Sequence, residues 1–160
     1  MNGSMPTVIE MRSSKRRHES LVPLTHDHHL ALAQATRLCN VKLHASTGFG
    51  KVAEQFLRFY SEHMVAHFRT EEEKLFPLLL EPEGGLPEVV TDLLNEHIRI
   101  HGMAAKIRAG ELESGKVLLE LGQLIRDHIR CEEKLLFPLI ERTVAEDKLS
   151  ALSTAKELEP

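Results

Sequence analysis

Two histidine–glutamate pairs at four-residue spacing, His67 with Glu71 and His128 with Glu132, are the residues of this chain best placed to do chemistry. On a helix, residues four apart lie on one face with about 5–6 Å between Cβ atoms, so each pair aims an imidazole and a carboxylate the same way. One such pair alone is an ordinary surface contact, contributing about 0.2–0.5 kcal/mol. Here the pairs sit inside a repeat. HFRTEEEKLFPLL from His67 and HIRCEEKLLFPLI from His128 align without a gap, both reading H-x-R-x-E-E-x-x-L-F-P-L. An acid–histidine step precedes each copy, Asp27–His28 in the first and Glu96–His97 in the second, and His101 follows His97 by one turn. Repetition at equivalent places, with matched histidines, argues against a surface pair.

The stripes continue inward. Leu75 and Leu136 lie one turn beyond the two glutamates, and His28 shares a stripe with Leu24, Ala31 and Ala35. Packing these helices together brings five histidines and two glutamates to one level. Buried charges of that density are normally paired or metal-bound, and imidazole with carboxylate suits iron, notably as dinuclear sites inside four-helix bundles. Two octahedral irons offer twelve places. Five histidines, two bridging glutamates and one bridging oxo or hydroxo group would leave a single open place, suited to a small diatomic ligand. Without His101 two places open, and redox chemistry gains over reversible binding.

Four helices must position these groups. The first is expected from Pro23 to about residue 44, with proline in the first turn where its missing N–H costs nothing. The second runs over about residues 51–80 and is kinked or ended by Pro77. The third covers about 88–109 and the fourth about 114–142, with Pro138 near its end. Short connections imply an all-α, up-and-down four-helix bundle over residues 21–143. Residues 1–20 read as a flexible polar arm and 144–160 as a tail with a possible short helix. No stretch alternates as a strand does.

Composition narrows the function. The net charge of −4 argues against a nucleic-acid partner. Two cysteines, Cys39 and Cys131, are too few for a disulfide framework. No apolar run approaches the length of a membrane span, and no secretory leader opens the chain. The chain reads as cytoplasmic.

From Leu24 to Arg142 the sequence resembles the hemerythrin-like (HHE cation-binding) family. The resemblance rests on His28, on HFRTEE at 67–72, EHIRIH at 96–101 and HIRCEE at 128–133. It implies a non-haem di-iron centre with His28, His67, His97, His101 and His128 as terminal ligands and Glu71 and Glu132 as bridges. Oxygen-carrying members place an aspartate five residues after the last histidine, whereas here Glu132 is four on and Glu133 five. That pattern is closer to the broader family of oxygen sensors, nitric-oxide-responsive proteins, iron–sulfur repair proteins and iron sensors. The leading expectation is a non-enzymatic protein that binds or senses O2 or NO. The alternative is a di-iron redox enzyme or repair protein acting on peroxide, NO or iron.

Several residues stay open at this stage. His28 and His29 compete for the first-helix position. Asp27 and Glu96 are candidates to orient ligand histidines, while Glu72, Glu73 and Glu133 read as a solvated face, from which Glu72 or Glu133 could shift inward as a substitute ligand. His63 stands one turn before His67 as an entrance group or an ordinary histidine. His18, His26 and His44 read as exposed, Cys131 as a small core residue, and Tyr60 as packing.

Overall fold

The computed structural model describes residues 16–41, 48–111 and 115–154. Among these every regular element is a helix. A 3₁₀ turn at Glu19–Leu21 leads into α1 (Val22–Cys39). Helix α2 covers residues 49–79, α3 is Glu88–Arg108, α4 covers residues 116–143 and α5 is Glu146–Thr154. None is long and apolar enough to cross a membrane.

Helix α1 takes Pro23 in its first turn and buries Leu24, His28, Ala31, Ala35 and Leu38, the stripe read from the sequence. It stops at Cys39, short of the expected residue 44; residues 42–47, His44 included, lie outside the described residues. Its most extensive partner is α4. Gly122 permits that approach, because a Cβ there would meet Cys39 Sγ at 2.7 Å and the Ala35 carbonyl at 2.8 Å.

Helices α2 and α4 are not uniform. Each switches from α to a π turn at its repeat glutamate, over Glu71–Leu75 in α2 and Glu132–Leu136 in α4. The wider turn closes through the N–H of Phe76 or Phe137 on the carbonyl five residues back, Glu71 or Glu132. A proline follows immediately in both. Proline clashes with the carbonyl of the fourth residue before it, and the π turn relieves that clash by taking in one extra residue. The outcomes then differ. At Pro77 α2 tightens into a 3₁₀ turn and ends at Leu79, while α4 carries Pro138 and continues as α-helix to Thr143. Helix α2 has a further π turn at Tyr60–Met64 that α4 lacks.

The apolar residues form two clusters. One gathers Ala31, Phe56, Phe68, Ile100, Leu121 and Ile125 with their neighbours. The other gathers Leu24, Leu75, Phe76, Leu93, Leu136 and Phe137, and α5 adds Leu149 to it. Every long helix passes from one cluster to the other, and on each the crossing point is a buried histidine or glutamate.

Two residues expected in the arm are instead tied down. The Arg17 guanidinium donates to the Glu133 carboxylate at 2.7 Å and to Glu141 at 3.2 Å, and lies 5.1 Å over the Phe137 ring. His18, expected to be exposed, is half-buried, its backbone N–H donating to Glu141 and its ring paired with Ser20 and Glu146.

Candidate metal centre

Between the two clusters lie His28 from α1, His67 and Glu71 from α2, His97 from α3, and His128 and Glu132 from α4, all buried. Their donor atoms form two overlapping groups. His28, His67, Glu71 and Glu132 make one, Glu71, His97, His128 and Glu132 the other, and within each the donor atoms lie within 4.8 Å of one another. The glutamates belong to both. Glu71 turns Oε1 to His67 Nε2 at 3.1 Å and Oε2 to His97 Nε2 at 3.4 Å. Glu132 turns Oε2 to His28 Nε2 at 3.0 Å and Oε1 to His128 Nε2 at 3.2 Å. Each carboxylate therefore spans the halves, one oxygen to each. The π turns begin at these two glutamates.

All four histidines present Nε2 to the centre and hold Nδ1 outward on a carboxylate. His67 Nδ1 faces Asp27 at 3.3 Å and His128 Nδ1 faces Glu96 at 2.9 Å, each within one consecutive helix pair, or hairpin, α1 with α2 and α3 with α4. The other two contacts cross over: His97 Nδ1 pairs with Glu72 at 2.7 Å and His28 Nδ1 with Glu133 at 2.7 Å. A carboxylate can only accept, so Nδ1 is the donor, and a ring that gives up its second proton to a metal does so at Nε2, the nitrogen facing the centre. Glu72 and Glu133 are thus not the idle solvated face read from the sequence. Glu133 also accepts from Thr25 Oγ1 and Arg17. Aromatic rings floor the site in the same crossed way, Phe137 stacked on His28 at 5.4 Å and Phe76 on His97 at 5.8 Å.

The imidazoles and carboxylates of the cluster are electrostatically paired. Burial disfavours the imidazolium at His28, His67 and His128, yet the surrounding carboxylates outweigh it and push their pKa values up to about 11, about 9 and about 10. Burial would raise the Glu71 carboxyl, but His67, His28 and His97 hold it well below the usual carboxylate range. At Glu132 burial and the Glu71 charge raise the pKa, and His128 and His28 bring it below normal. Burial opposes Glu133 too, and His28, Thr25 and Arg17 draw it down to about 2.

The donor set fits metal. His28 Nε2 and all four oxygens of Glu71 and Glu132 are buried without a hydrogen-bond partner. Several sit at hydrogen-bond distances from neighbours without the angles of a hydrogen bond. Buried charged groups in that condition are strongly unfavourable unless a cation satisfies them.

Other sequence candidates fall outside these groups. His29 is exposed, whereas His28 is in the cluster. His101 belongs to neither donor group; its Nδ1 is hydrogen-bonded to the Tyr60 hydroxyl. Cys131 is partly buried, and burial with Glu96, Glu132 and Asp92 nearby pushes its thiol pKa up. His63 is exposed and packs its ring on Phe59 at 5.2 Å. It borders a mainly apolar cavity of about 20 Å³, walled also by Ala31, Met64, Phe68, His28, His67 and His128. A surface cleft of about 380 Å³ outside shares His63, Asp27 and His67 with it.

What sequence reasoning missed is the crossing, Glu72 to His97 and Glu133 to His28. A signal existed, since both copies of the repeat carry a second glutamate directly after the first.

No curated protein and no solved structure matches the chain. A family model, the hemerythrin HHE cation-binding domain, matches residues 16–140. That span holds all six converging side chains, and the chain belongs to the hemerythrin HHE cation-binding family.

Proposed function

We propose that the chain is a non-haem di-iron protein that binds O2 or NO. The observation that carries this is the pair of donor groups sharing both glutamates. His28 and His67 would hold one iron, His97 and His128 the other, with Glu71 and Glu132 common to both. Histidine with carboxylate is a donor set that iron accepts well, and bound iron would supply electrons and exchangeable coordination places. The chain's residues supply the rest. The crossed carboxylates hold each ring with Nε2 inward, the two apolar clusters limit water, and the cavity beside His28 and His67 has room for one small molecule, since about 10–15 Å³ suffices for a water.

The scaffold read here is an up-and-down four-helix bundle over residues 21–143. Support comes from the order in which the helices meet the clusters. Helices α1 and α3 pass from the Leu24–Leu93 side to the Ala31–Ile100 side, and α2 and α4 pass the other way.

One observation favours a second reading, a redox enzyme or repair protein acting on peroxide, NO or iron. With His101 outside both groups, four imidazoles, two bridging carboxylates and a solvent-derived bridge leave one open place on each ion rather than one in all. Metal analysis with optical spectra of the anaerobically reduced protein, before and after air, separates the readings. Two irons per chain with new visible bands that vanish on deoxygenation are expected of a binding protein. Net consumption of oxidant with turnover identifies the enzyme, and fewer than two ions per chain defeats both.

A further inference from the structure

The repeat is broken at two positions that touch each other. By the alignment that superposes His67 on His128, Tyr60 corresponds to Leu121; by the one that superposes His28 on His97, His101 corresponds to Leu32. The two leucines are ordinary apolar residues of α4 and α1. On the opposite side the same two positions hold a hydroxyl and an imidazole, and they are hydrogen-bonded, Tyr60 Oη to His101 Nδ1. Tyr60 is buried and opens the π turn of α2 that has no counterpart in α4. The His101 ring stands edge-on to Phe68 at 5.5 Å, and Phe68 stacks on His97 at 3.9 Å. His101 is therefore beside the centre without being in it.

The partner of Nδ1 makes the difference. The four converging histidines meet carboxylates, which only accept and so admit one tautomer, with Nε2 free to bind. A phenol both donates and accepts. Facing Tyr60, His101 has two neutral arrangements: Nδ1–H donating to Oη with Nε2 free, or Oη–H donating to Nδ1 with the proton on Nε2, where the ring cannot ligate. Donors on one ion at about 2.1 Å must lie within about 4.2 Å of one another, and His101 lies outside both groups of converging donors.

We propose that Tyr60 holds His101 as a reserve ligand, kept off the ion at His97 and His128 while the phenol donates to Nδ1, and able to join it when that hydrogen bond reverses. Tyr60 is thus a positioning residue for ligand number, and the centre is symmetric in its permanent ligands but adjustable at one ion. The inference rests on the reading of a two-cation centre.

Cobalt(II) titration of the metal-free full chain tests it, because cobalt's visible absorption weakens as ligand number rises. His101→Ala with Tyr60 in place should change affinity for either ion by less than about threefold, whereas His97→Ala should cost about tenfold or more. Tyr60→Phe should raise affinity at one ion by about tenfold and weaken the cobalt absorption. Adding His101→Ala to that variant should cancel both changes. A His101→Ala loss as large as that of His97→Ala, or a Tyr60→Phe titration matching the parent in affinity and spectrum, overturns the proposal. Should Tyr60→Phe not fold, the unmodified zinc-loaded protein serves, by nitrogen NMR of the imidazoles. A His101 ring with the proton on Nε2 supports the hold, and a zinc-bound His101 Nε2 refutes it. If two cations do not bind at all, the di-iron reading itself falls, a result distinct from either of these.

Discussion

The two halves of the candidate centre have the same converging side chains and different surroundings. His28 and His67 face the shared glutamates as His97 and His128 do, and each half has one Nδ1 held from within its hairpin and one from across. Around them the match ends. Glu133, behind His28, is tied by Thr25 and Arg17 and its side chain is 25 % exposed; Glu72, behind His97, is 40 % exposed. The cavity touches both His28 and His67 but, of the other half, His128 alone, and it is walled by the small Ala31, in the place that the fully buried Ile100 fills on the other side. The Tyr60–His101 pair adjoins the His97–His128 half. A repeated sequence has kept two equal donor sets and left their environments free to diverge. For the two ions of the proposed centre, the difference predicts unequal reactivity.

The largest effects should fall on what the halves share. Glu71→Ala or Glu132→Ala removes one oxygen from each half at once, so either variant should lose dinuclear loading altogether, measured as metal per chain. Two tightly held ions in both variants would mean that the carboxylates do not bridge.

Next come the crossed carboxylates. Loss of a group that orients a ligand histidine commonly costs about 10–100-fold in metal affinity. Glu133→Gln should fall in that range for one ion, and Glu72→Gln should cost less for the other, because Glu72 is more exposed and has no counterpart to Arg17 among the described contacts. Equal losses, or a larger loss at Glu72, would remove this part of the contrast.

The stripes of buried, converging side chains were legible in the sequence because each is a local pattern. His28 with Leu24 and Ala31, or Glu71 with Leu75, needs only the helical period, and the repeat told which faces converge. The crossed contacts were not legible, since Glu133 and His28 are 105 residues apart and meet only when hairpins pack. The π turns were hidden for a similar reason. The prolines were visible, but whether they end a helix or are absorbed by a wider turn is decided by packing, and Pro77 and Pro138 ended differently. His101 shares a helix face with His97, so spacing alone assigned it as a ligand; Tyr60, from another helix, gives it a different partner. The arm reading failed at Arg17 because a basic run looks solvated until its acidic partners, Glu133 and Glu141, are in place.

Acidity offers a milder probe of both halves together. His28, His67 and His128 have pKa values raised in the folded chain to about 11, about 9 and about 10. A raised imidazole stabilises the fold fully below its unfolded value, about 6.5, and that contribution is lost as pH rises through the folded values. Glu71 and Glu132 are shifted down, so their contribution holds above the ordinary carboxylate range and is lost on acidification. The metal-free protein should therefore melt at a lower temperature at about pH 9.5 than at about pH 6. Metal must displace the imidazole protons, so the loaded protein should gain on the metal-free one over the same interval. Parallel melting curves for the two forms would contradict the paired state of these groups.

The smallest effect should come from making the halves more alike around their ligands. Ala31→Val moves the cavity wall toward the bulk that Ile100 supplies opposite, and it touches no ligand. Adding methyl groups to a packed interior typically costs about 1–3 kcal/mol, so the fold should weaken modestly while metal content stays nearly unchanged. Association of NO with the reduced, iron-loaded protein should slow, because the space beside His28 and His67 that admits one small molecule is reduced. A variant with normal iron and an unaltered association rate would show that the cavity is not on the ligand's path, and the open place would then have to be sought on the His97–His128 side.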